Sequence, residues 1–242
     1  MQLHVRVIDD GDILADLAAT AIARSLRTAL ADRAGPATLF LSGGSTPRVT
    51  YTRLLDQDVD WSRVHIFLGD ERWVDQAHQD SNARMAREAF VDSVPATFHP
   101  LSTDEESPAA AADGYERTLR ELFGDAPVRP DLIILGIGTD GHTASLFPGT
   151  AALAESGRLF VANWVPDMQV WRLTATFPLL SQAAELLFLA TGAAKAEVVA
   201  QILEGDAAYP AGTATAGART VTWFLDRAAA AHLSEEFLAA HQ

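Results

Sequence analysis

Two acid–base side chains follow the end of a strongly apolar segment in the middle of the chain. The segment runs from Asp131 to Leu135, glycines follow it, and Asp140 and His142 are the first reactive side chains after it. In open α/β sheets, ligands bind beyond the carboxyl ends of the strands. A histidine in that position can transfer protons near neutral pH. The pattern therefore predicts an active-site loop with His142 as its acid–base group.

The glycines of this segment match a second pattern, which we interpret differently. Gly136, Gly138 and Gly141 spell the G-x-G-x-x-G fingerprint of dinucleotide-binding sites. That fingerprint opens a long helix, whereas here His142 follows at once and Pro148 ends any helix within two turns. We therefore expect the glycines to expose the acid–base pair, and we predict no nucleotide cofactor.

A glycine- and hydroxyl-rich turn predicts a phosphate site. Gly43 and Gly44 let the backbone approach a ligand closely, and Ser45 and Thr46 add hydroxyl groups. Pro47 suits the first turn of a helix, whose N-terminal amides and dipole favour phosphate. The turn lacks the lysine of a nucleotide P-loop, which argues against a triphosphate. The alternative interpretation is an ordinary capped turn.

Charged residues near other predicted strand ends are further candidates. Asp70, Glu71 and Arg72 directly follow a strand, where clustered charges are often functional. The alternative interpretation is an ion-paired surface turn, which has a similar sequence. Arg172 and Lys195 lie near two later strand ends, and Arg172 fits a structural ion pair equally well. Lys195 is the single lysine beside seventeen arginines. Either it survives by chance on a helix surface, or the site needs a compact point charge.

The periodicity of apolar residues predicts the elements that position these groups. Strands alternate with helices, which predicts an α/β fold: a doubly wound, mainly parallel sheet with helices on both faces. We expect one domain over residues 1–242. We predict strands at 3–8, 37–41, 64–68, 132–135, 159–163, 171–176, 185–190 and 221–225. We predict helices at 12–33, 47–55, 82–91, 107–123 and 193–203, a terminal helix from 226, and loops at 102–107 and 205–217.

Composition excludes several classes of protein. The net charge of −14 argues against nucleic acid and against anionic membranes as partners. The absence of cysteine rules out disulfides, thiolate metal sites and a cysteine nucleophile. No apolar run is long enough to cross a bilayer, and the first residues lack a signal-peptide pattern, so we expect a cytoplasmic protein. No histidine spacing near the candidate loops suits a metal, and no G-x-S-x-G nucleophile motif is present.

Six segments in fixed order closely resemble the 6-phosphogluconolactonase family, and they span essentially the whole chain. They are Ser42-Gly-Gly-Ser-Thr-Pro47, Gly69-Asp-Glu-Arg72, Asp80-Ser-Asn82, Gly136-x-Gly-x-Asp-Gly-His-Thr-Ala-Ser-Leu-Phe-Pro-Gly149, Arg172-Leu-Thr-Ala-Thr176 and Gly192-x-x-Lys195. The resemblance implies the Rossmann-type fold shared with glucosamine-6-phosphate deaminase and ribose-5-phosphate isomerase. It also implies hydrolysis of 6-phospho-D-glucono-1,5-lactone in the oxidative pentose phosphate pathway, without metal or cofactor.

The resemblance implies roles for individual residues as well. His142 matches the general base proposed in that family, and Arg72 matches an arginine that contacts substrate. The serine–threonine turn, with Arg172 and Lys195, matches the phosphate site. The chemistry of the residues is compatible: His142 can activate water, with Asp140 or Asp70 orienting the imidazole. Arg72 can stabilise charge on the carbonyl oxygen or serve the phosphate, so both assignments stay open.

Two other functions remain as alternatives. The first is an amino-sugar-phosphate isomerase or deaminase of the same fold. Related deaminases carry a glutamate a few residues after the histidine, whereas Ser145-Leu-Phe-Pro148 contains no carboxylate. The second is an inactive sugar-phosphate-binding regulator, against which the intact Asp140 and His142 argue. We expect a small sugar-phosphate lactone as the partner, and a monomer or weak homo-oligomer.

Overall fold

A computed structural model describes residues 2–205 and 208–241, which form ten strands and eight α-helices. The strands are β1 (Gln2–Ile8), β2 (Ala37–Leu41), β3 (Val64–Leu68), β4 (Asp70–Arg72), β5 (Thr97–Phe98), β6 (Leu132–Leu135), β7 (Phe160–Val165), β8 (Val170–Ala175), β9 (Glu185–Ala190) and β10 (Thr220–Asp226). The helices are α1 (Gly11–Asp32), α2 (Ser45–Leu54), α3 (Asn82–Ala89), α4 (Pro108–Phe123), α5 (Phe177–Gln182), α6 (Ala196–Leu203), α7 (Pro210–Gly217) and α8 (Glu235–His241).

The central sheet reverses its strand order between β2 and β6. Its seven strands run in the order β1-β10-β9-β6-β2-β3-β5, and every neighbouring pair is parallel. The chain proceeds outward from β2 to β3 on one side and from β6 to β9 on the other. Such a reversal leaves a crevice at the carboxyl ends of the two central strands, where open α/β sheets bind ligands. The mainly parallel sheet flanked by helices confirms the predicted fold class.

Local sequence signals explain why the helices begin where they do. The Asp10 carboxylate accepts from the backbone N–H of Asp12 at 2.8 Å and so caps α1. Ser107 caps α4 in the same way, with Pro108 at the first helical position. In α1 the fully buried residues recur every four positions, as in Leu14, Ala18, Ile22 and Leu26. Burial of each large side chain of this stripe contributes about 1.5–3 kcal/mol.

A second, smaller sheet corrects the prediction of one continuous alternation. β4, β8 and β7 form a three-stranded antiparallel sheet. The predicted strands at 159–163 and 171–176 are therefore real but do not join the parallel sheet. A short turn joins them, and a connection without a helix pairs strands antiparallel. The predicted strands missed β4 and β5 because segments of three and two residues show no periodicity.

Two predictions in the last third of the chain were wrong. The segment predicted as a loop at 205–217 contains α7, since Pro210 opens a helix whose alanines pack into the interior; Asp206 and Ala207 lie outside the described residues. The helix predicted from 226 is absent from this stretch. β10 extends to Asp226, whose carboxylate accepts from Ala229 N at 2.7 Å in a turn, and α8 starts only at Glu235. The helix predicted at 193–203 is confirmed, and its first three residues form a 3-10 turn before α6.

None of the helices in the described ranges is both long enough and apolar enough to cross a membrane.

Candidate active site

A cavity of about 410 Å³ opens at the carboxyl ends of β2 and β6, a volume suited to a small ligand. All the residues proposed from the sequence line it except Asp140, which is bonded to His142, and Glu71, which is buried. The lining residues among them are Gly43, Gly44, Ser45, Thr46, Asp70, Arg72, His142, Arg172 and Lys195. The fold therefore brings together groups that are up to 152 positions apart, from Gly43 to Lys195. Their individual roles stay predictions.

The imidazole of His142 is paired with the carboxylate of Asp140. Asp140 Oδ1 lies 2.6 Å from His142 Nδ1, and it also accepts from the backbone N–H of His142 at 3.1 Å. A carboxylate at Nδ1 places the proton of the neutral ring there and leaves the lone pair of Nε2 for another proton. The pair therefore has the geometry of an oriented general base.

Asp70, the alternative partner of the imidazole, is bonded elsewhere. Its carboxylate accepts from Ser145 Oγ at 2.6 Å and from Asn82 Nδ2 at 3.4 Å. Asp70 is 7% exposed and Ser145 only 1%, so this pair is buried in the floor of the cavity. Of the two carboxylates, Asp140 is thus the one in contact with the ring.

Glycines make room for the pair, as the sequence predicted. A Cβ atom on Gly138 would overlap His142 Nδ1 and Asp140 Oδ1. Gly141 has a φ of 78°, in the left-handed region that favours glycine. The ring of Phe147 stacks on the imidazole with centroids 4.1 Å apart, which restricts rotation of the imidazole from its other side.

Helix α7 supports this loop from behind. A Cβ atom on Gly141 would overlap the ring of Tyr209, which lies against the glycine backbone. The backbone N–H of Ala211 donates to Gly141 O at 3.0 Å. The segment that the sequence predicted as a loop therefore helps to fix the position of His142.

The glycine- and hydroxyl-rich turn is rigid and ends at the start of α2. Gly44 has a φ of 112° and immediately precedes the helix. The buried hydroxyl of Tyr51 accepts from Ser42 N at 2.8 Å and donates to Ser42 O at 2.9 Å. The two hydroxyls of Thr46 and Thr191 lie 2.8 Å apart and link the turn to the end of β9. The first residues of α2 line the cavity, and no side chain of the described residues caps the amides of this helix end.

Three cations converge on the same cavity. Arg72 and Arg172 are direct partners in the β4–β8 register. Burial and the charge of Arg72 lower the pKa of Arg172, and its buried Nε has no hydrogen-bond partner. Arg72 donates to the backbone oxygen of Asp80, and Lys195 Nζ donates to that of Ile137. Burial lowers the pKa of Lys195, and the charge of Asp140 opposes that shift. Within the described ranges, no salt bridge neutralises any of the three.

Among the three charged residues at 70–72, Glu71 has a structural role. It is 1% exposed and accepts from the backbone N–H of Asn82 at 2.7 Å, from that of Ala83 at 2.8 Å and from Ser81 Oγ at 3.0 Å. Burial raises its pKa, while these bonds act in the opposite direction. Glu71 therefore ties β4 to the N-terminus of α3 and is not available to a ligand.

The sequence prediction did not include Asn82, Ser145, Phe147 and Met168, which also line the cavity. Asn82 Nδ2 donates to the backbone oxygen of Asp70 at 2.8 Å, and a Cβ atom on Gly43 would overlap its side chain. The segment Asp80-Ser-Asn82 was a signal for Asn82. Phe147 and Ser145 resemble core residues in sequence, and nothing in the chain marks Met168 as close to the site.

Residues 2–205 and 208–241 contain no group of three or more histidine, aspartate or glutamate side chains placed to hold a metal ion. The absence of a metal from the reaction stays a prediction.

Comparison with known proteins places this geometry in context. The family model described as glucosamine-6-phosphate isomerases/6-phosphogluconolactonase matches residues 9–223. A 6-phosphogluconolactonase from Synechocystis is 40% identical over 96% of this chain and 99% of its own length. One from Mycobacterium tuberculosis is 33% identical over 96% and 99%.

Solved structures agree with the sequence relatives. The 6-phosphogluconolactonase from Trypanosoma brucei superposes with a TM-score of 0.86 at 30% identity, covering 96% of this chain and 99% of that one. A monomeric glucosamine-6-phosphate deaminase has a TM-score of 0.78 at 23% identity, covering 96% of this chain and 100% of that one, which shows a shared fold.

Proposed function

The chain belongs to the glucosamine-6-phosphate isomerase/6-phosphogluconolactonase family, and from this premise we propose that it hydrolyses 6-phospho-D-glucono-1,5-lactone to 6-phospho-D-gluconate. It is then a lactone hydrolase of the oxidative pentose phosphate pathway. One observation carries the proposal: an oriented imidazole and three cations without carboxylate partners share one cavity. That combination suits an anionic substrate that must be attacked by water.

The base acts on a water molecule. Nε2 of His142 takes a proton from water as the oxygen attacks the lactone carbonyl, and Asp140 stabilises the imidazolium that forms. The tetrahedral intermediate then collapses, the bond from the carbonyl carbon to the ring oxygen breaks, and the imidazolium returns its proton to that oxygen. Ring opening yields the hydroxyl and the acid of the product, so no covalent intermediate with the chain is needed.

The cations divide between the two ends of the substrate. The amides of Ser45 and Thr46, at the N-terminus of α2, and the ammonium of Lys195 bind the phosphate. Arg72 and Arg172 are adjacent, and one of them stabilises the developing oxyanion while the other extends the phosphate site. Because Arg172 has a buried Nε without a partner, a bound anion relieves an unfavourable state of the free protein.

The test is hydrolysis of freshly prepared lactone, measured as acid release above the spontaneous rate of ring opening. We expect saturable hydrolysis and no release of ammonia from glucosamine 6-phosphate. Acid release at the spontaneous rate by folded protein would contradict the proposal. Ammonia release from the amino sugar would instead assign the chain to deamination.

We further propose that the chain acts as one domain in the cytoplasm, without a cofactor, and as a monomer or weak homo-oligomer. A single apolar cluster that includes Leu39 and Phe188 of the large sheet and Phe160 and Leu173 of the small one supports one domain. Light scattering of the eluted protein on a sizing column tests the oligomeric state, and a stable assembly at micromolar concentration would contradict it.

A further inference from the structure

A methionine stands at the mouth of the cavity, on the turn that joins β7 and β8. Met168 N donates to Val165 O at 3.3 Å, and Gln169 follows with a φ of 53°, in the left-handed region. This tight turn holds Met168 where its side chain is 51% exposed. Met168 lines the active cavity and also an adjacent cavity of about 310 Å³, and Arg72 and Arg172 line both. Its thioether is thus open to solvent beside two cations.

The chain offers few other sulfur atoms to an oxidant. It contains no cysteine and three methionines, of which Met1 lies outside the described residues. Met85 is partly buried and packs against the apolar core. Because exposure governs the oxidation of methionine, Met168 is the preferred target among the described sulfur atoms.

We propose that Met168 is a site of reversible oxidation by peroxide and that its sulfoxide weakens binding of the phosphorylated substrate. Hydrogen peroxide transfers one oxygen to the sulfur, its O–O bond breaks, and water leaves; the sulfur loses two electrons and the peroxide gains them. The reaction converts an apolar side chain into a polar one with a strong acceptor oxygen. Arg72 and Arg172 then have an acceptor beside them and are less available to the substrate. This regulation rests on the proposed function.

The expected effect is measured first in binding. The sulfoxide leaves His142 and Asp140 untouched, whereas it competes for the two arginines. We expect an increase in KM of about tenfold, equivalent to the loss of one hydrogen bond to a charged group, together with a fall in kcat, because one of the two arginines stabilises the oxyanion. Treatment with a methionine sulfoxide reductase is expected to restore the original KM.

The experiment compares the unmodified chain with Met168→Leu and Met85→Leu, each before and after peroxide. Peptide mass spectrometry locates the added oxygen, and calorimetry with 6-phosphogluconate measures binding without reliance on activity. We expect loss of affinity in the unmodified chain and in Met85→Leu, and none in Met168→Leu relative to its own untreated form. Equal losses in all three proteins, or full oxidation of Met168 with unchanged affinity, would overturn the inference.

The outcome separates the two proposals. Untreated protein that binds 6-phosphogluconate but does not hydrolyse the lactone would contradict the proposed function, while the binding arm still decides the role of Met168.

Discussion

The two ends of the large sheet carry cavities of nearly equal volume. The two cavities differ in whether their charged side chains have partners within the fold. The cavity at the amino ends of the strands measures about 400 Å³, against about 410 Å³ at the carboxyl ends. At the amino end, Asp131 accepts from Thr38 N at 2.8 Å and from Thr38 Oγ1 at 3.0 Å, and pairs with Arg33. Glu185 accepts from Ser25 Oγ at 2.7 Å. Here Asp131, Arg33 and Glu185, three of the five charged residues that line the cavity, have partners within the fold.

At the carboxyl ends, the three cations lack carboxylate partners within the described ranges. Arg72, Arg172 and Lys195 bond only backbone oxygens or, for Arg172 Nε, nothing among the residues described. Charges that are paired within the fold have their burial offset, whereas unpaired cations cost stability, which supports the proposed binding of an external anion. Cavity size alone does not distinguish the two ends; the state of their charges does. Four measurements test this difference between the two ends of the sheet.

Removal of the base gives the largest expected effect. His142→Ala should lower kcat by about 10²–10⁴-fold, because general-base catalysis contributes that much, while 6-phosphogluconate binding is largely retained. Steady-state kinetics and calorimetry check both. The matched control is His232→Ala, which removes a surface imidazole 3.3 Å from Glu197. A kcat for His142→Ala near that of the control would remove His142 from the mechanism.

Loss of an unpaired cation should affect binding and spare the fold. We expect Lys195→Met to raise KM by about 10- to 100-fold, the range for a hydrogen bond to a charged group, with a smaller change in kcat. The unfolding free energy should not fall, since burial already disfavours the ammonium. A large loss of kcat with unchanged KM would place Lys195 at the reacting carbonyl instead.

Loss of a paired charge should lower stability and leave activity nearly unchanged. Asp131→Ala leaves Thr38 N without its acceptor and removes the ion pair with Arg33, which keeps only its bonds to Pro36 O, and it is expected to cost about 1–3 kcal/mol of unfolding free energy. Because the active cavity lies at the other end of the sheet, kcat/KM should stay within about twofold of the parent at a temperature where the variant is folded. Denaturant titration and lactone kinetics test this. Unchanged stability would mean that pairing at the amino end does not support the fold.

The smallest expected effect concerns two histidines at the edge of the sheet. Their imidazoles can hydrogen-bond to each other while both are neutral. His65 Nδ1 and His99 Nε2 lie 2.8 Å apart. Burial, with the charge of His65, lowers the pKa of His99 from 6.5 to about 4. The unfolded chain therefore takes up a proton at a higher pH than the folded chain, and the unfolding free energy falls as the pH drops from 6.5 to 4. With allowance for partial exposure we expect a loss of about 1–2 kcal/mol.

His99→Gln tests this assignment. Urea titrations at several pH values should show a flatter profile for the variant across that interval. Identical slopes for variant and parent would show that another group is responsible.

Long-range pairing explains which parts of the structure were predictable from the sequence. Uniformly apolar segments such as Ala37–Leu41 and Leu132–Leu135 were predicted residue for residue, because burial on both faces leaves an unambiguous signal. His142, Lys195 and the serine–threonine turn could be predicted to share one site because each lies near the end of a predicted strand. The small sheet did not follow, because β4 exists only through its contact with β8.

Residues that act through contacts between distant segments were missed for the same reason. Ser145 meets Asp70 across 75 positions, and Tyr209 supports Gly141 from the position before α7, a helix that composition alone makes resemble a loop. The choice between Asp140 and Asp70 as partner of the imidazole also needed distances, since both follow strand ends in sequence.

The solitary lysine has a practical consequence. Lowering of its pKa by burial increases the fraction of uncharged, nucleophilic amine at Lys195 near neutral pH. With no other ε-amine in the chain, acylating dyes or surface-coupling esters that spare the terminal amine will attach inside the cleft. Amine-based immobilisation through this residue will therefore block the opening that a substrate must enter.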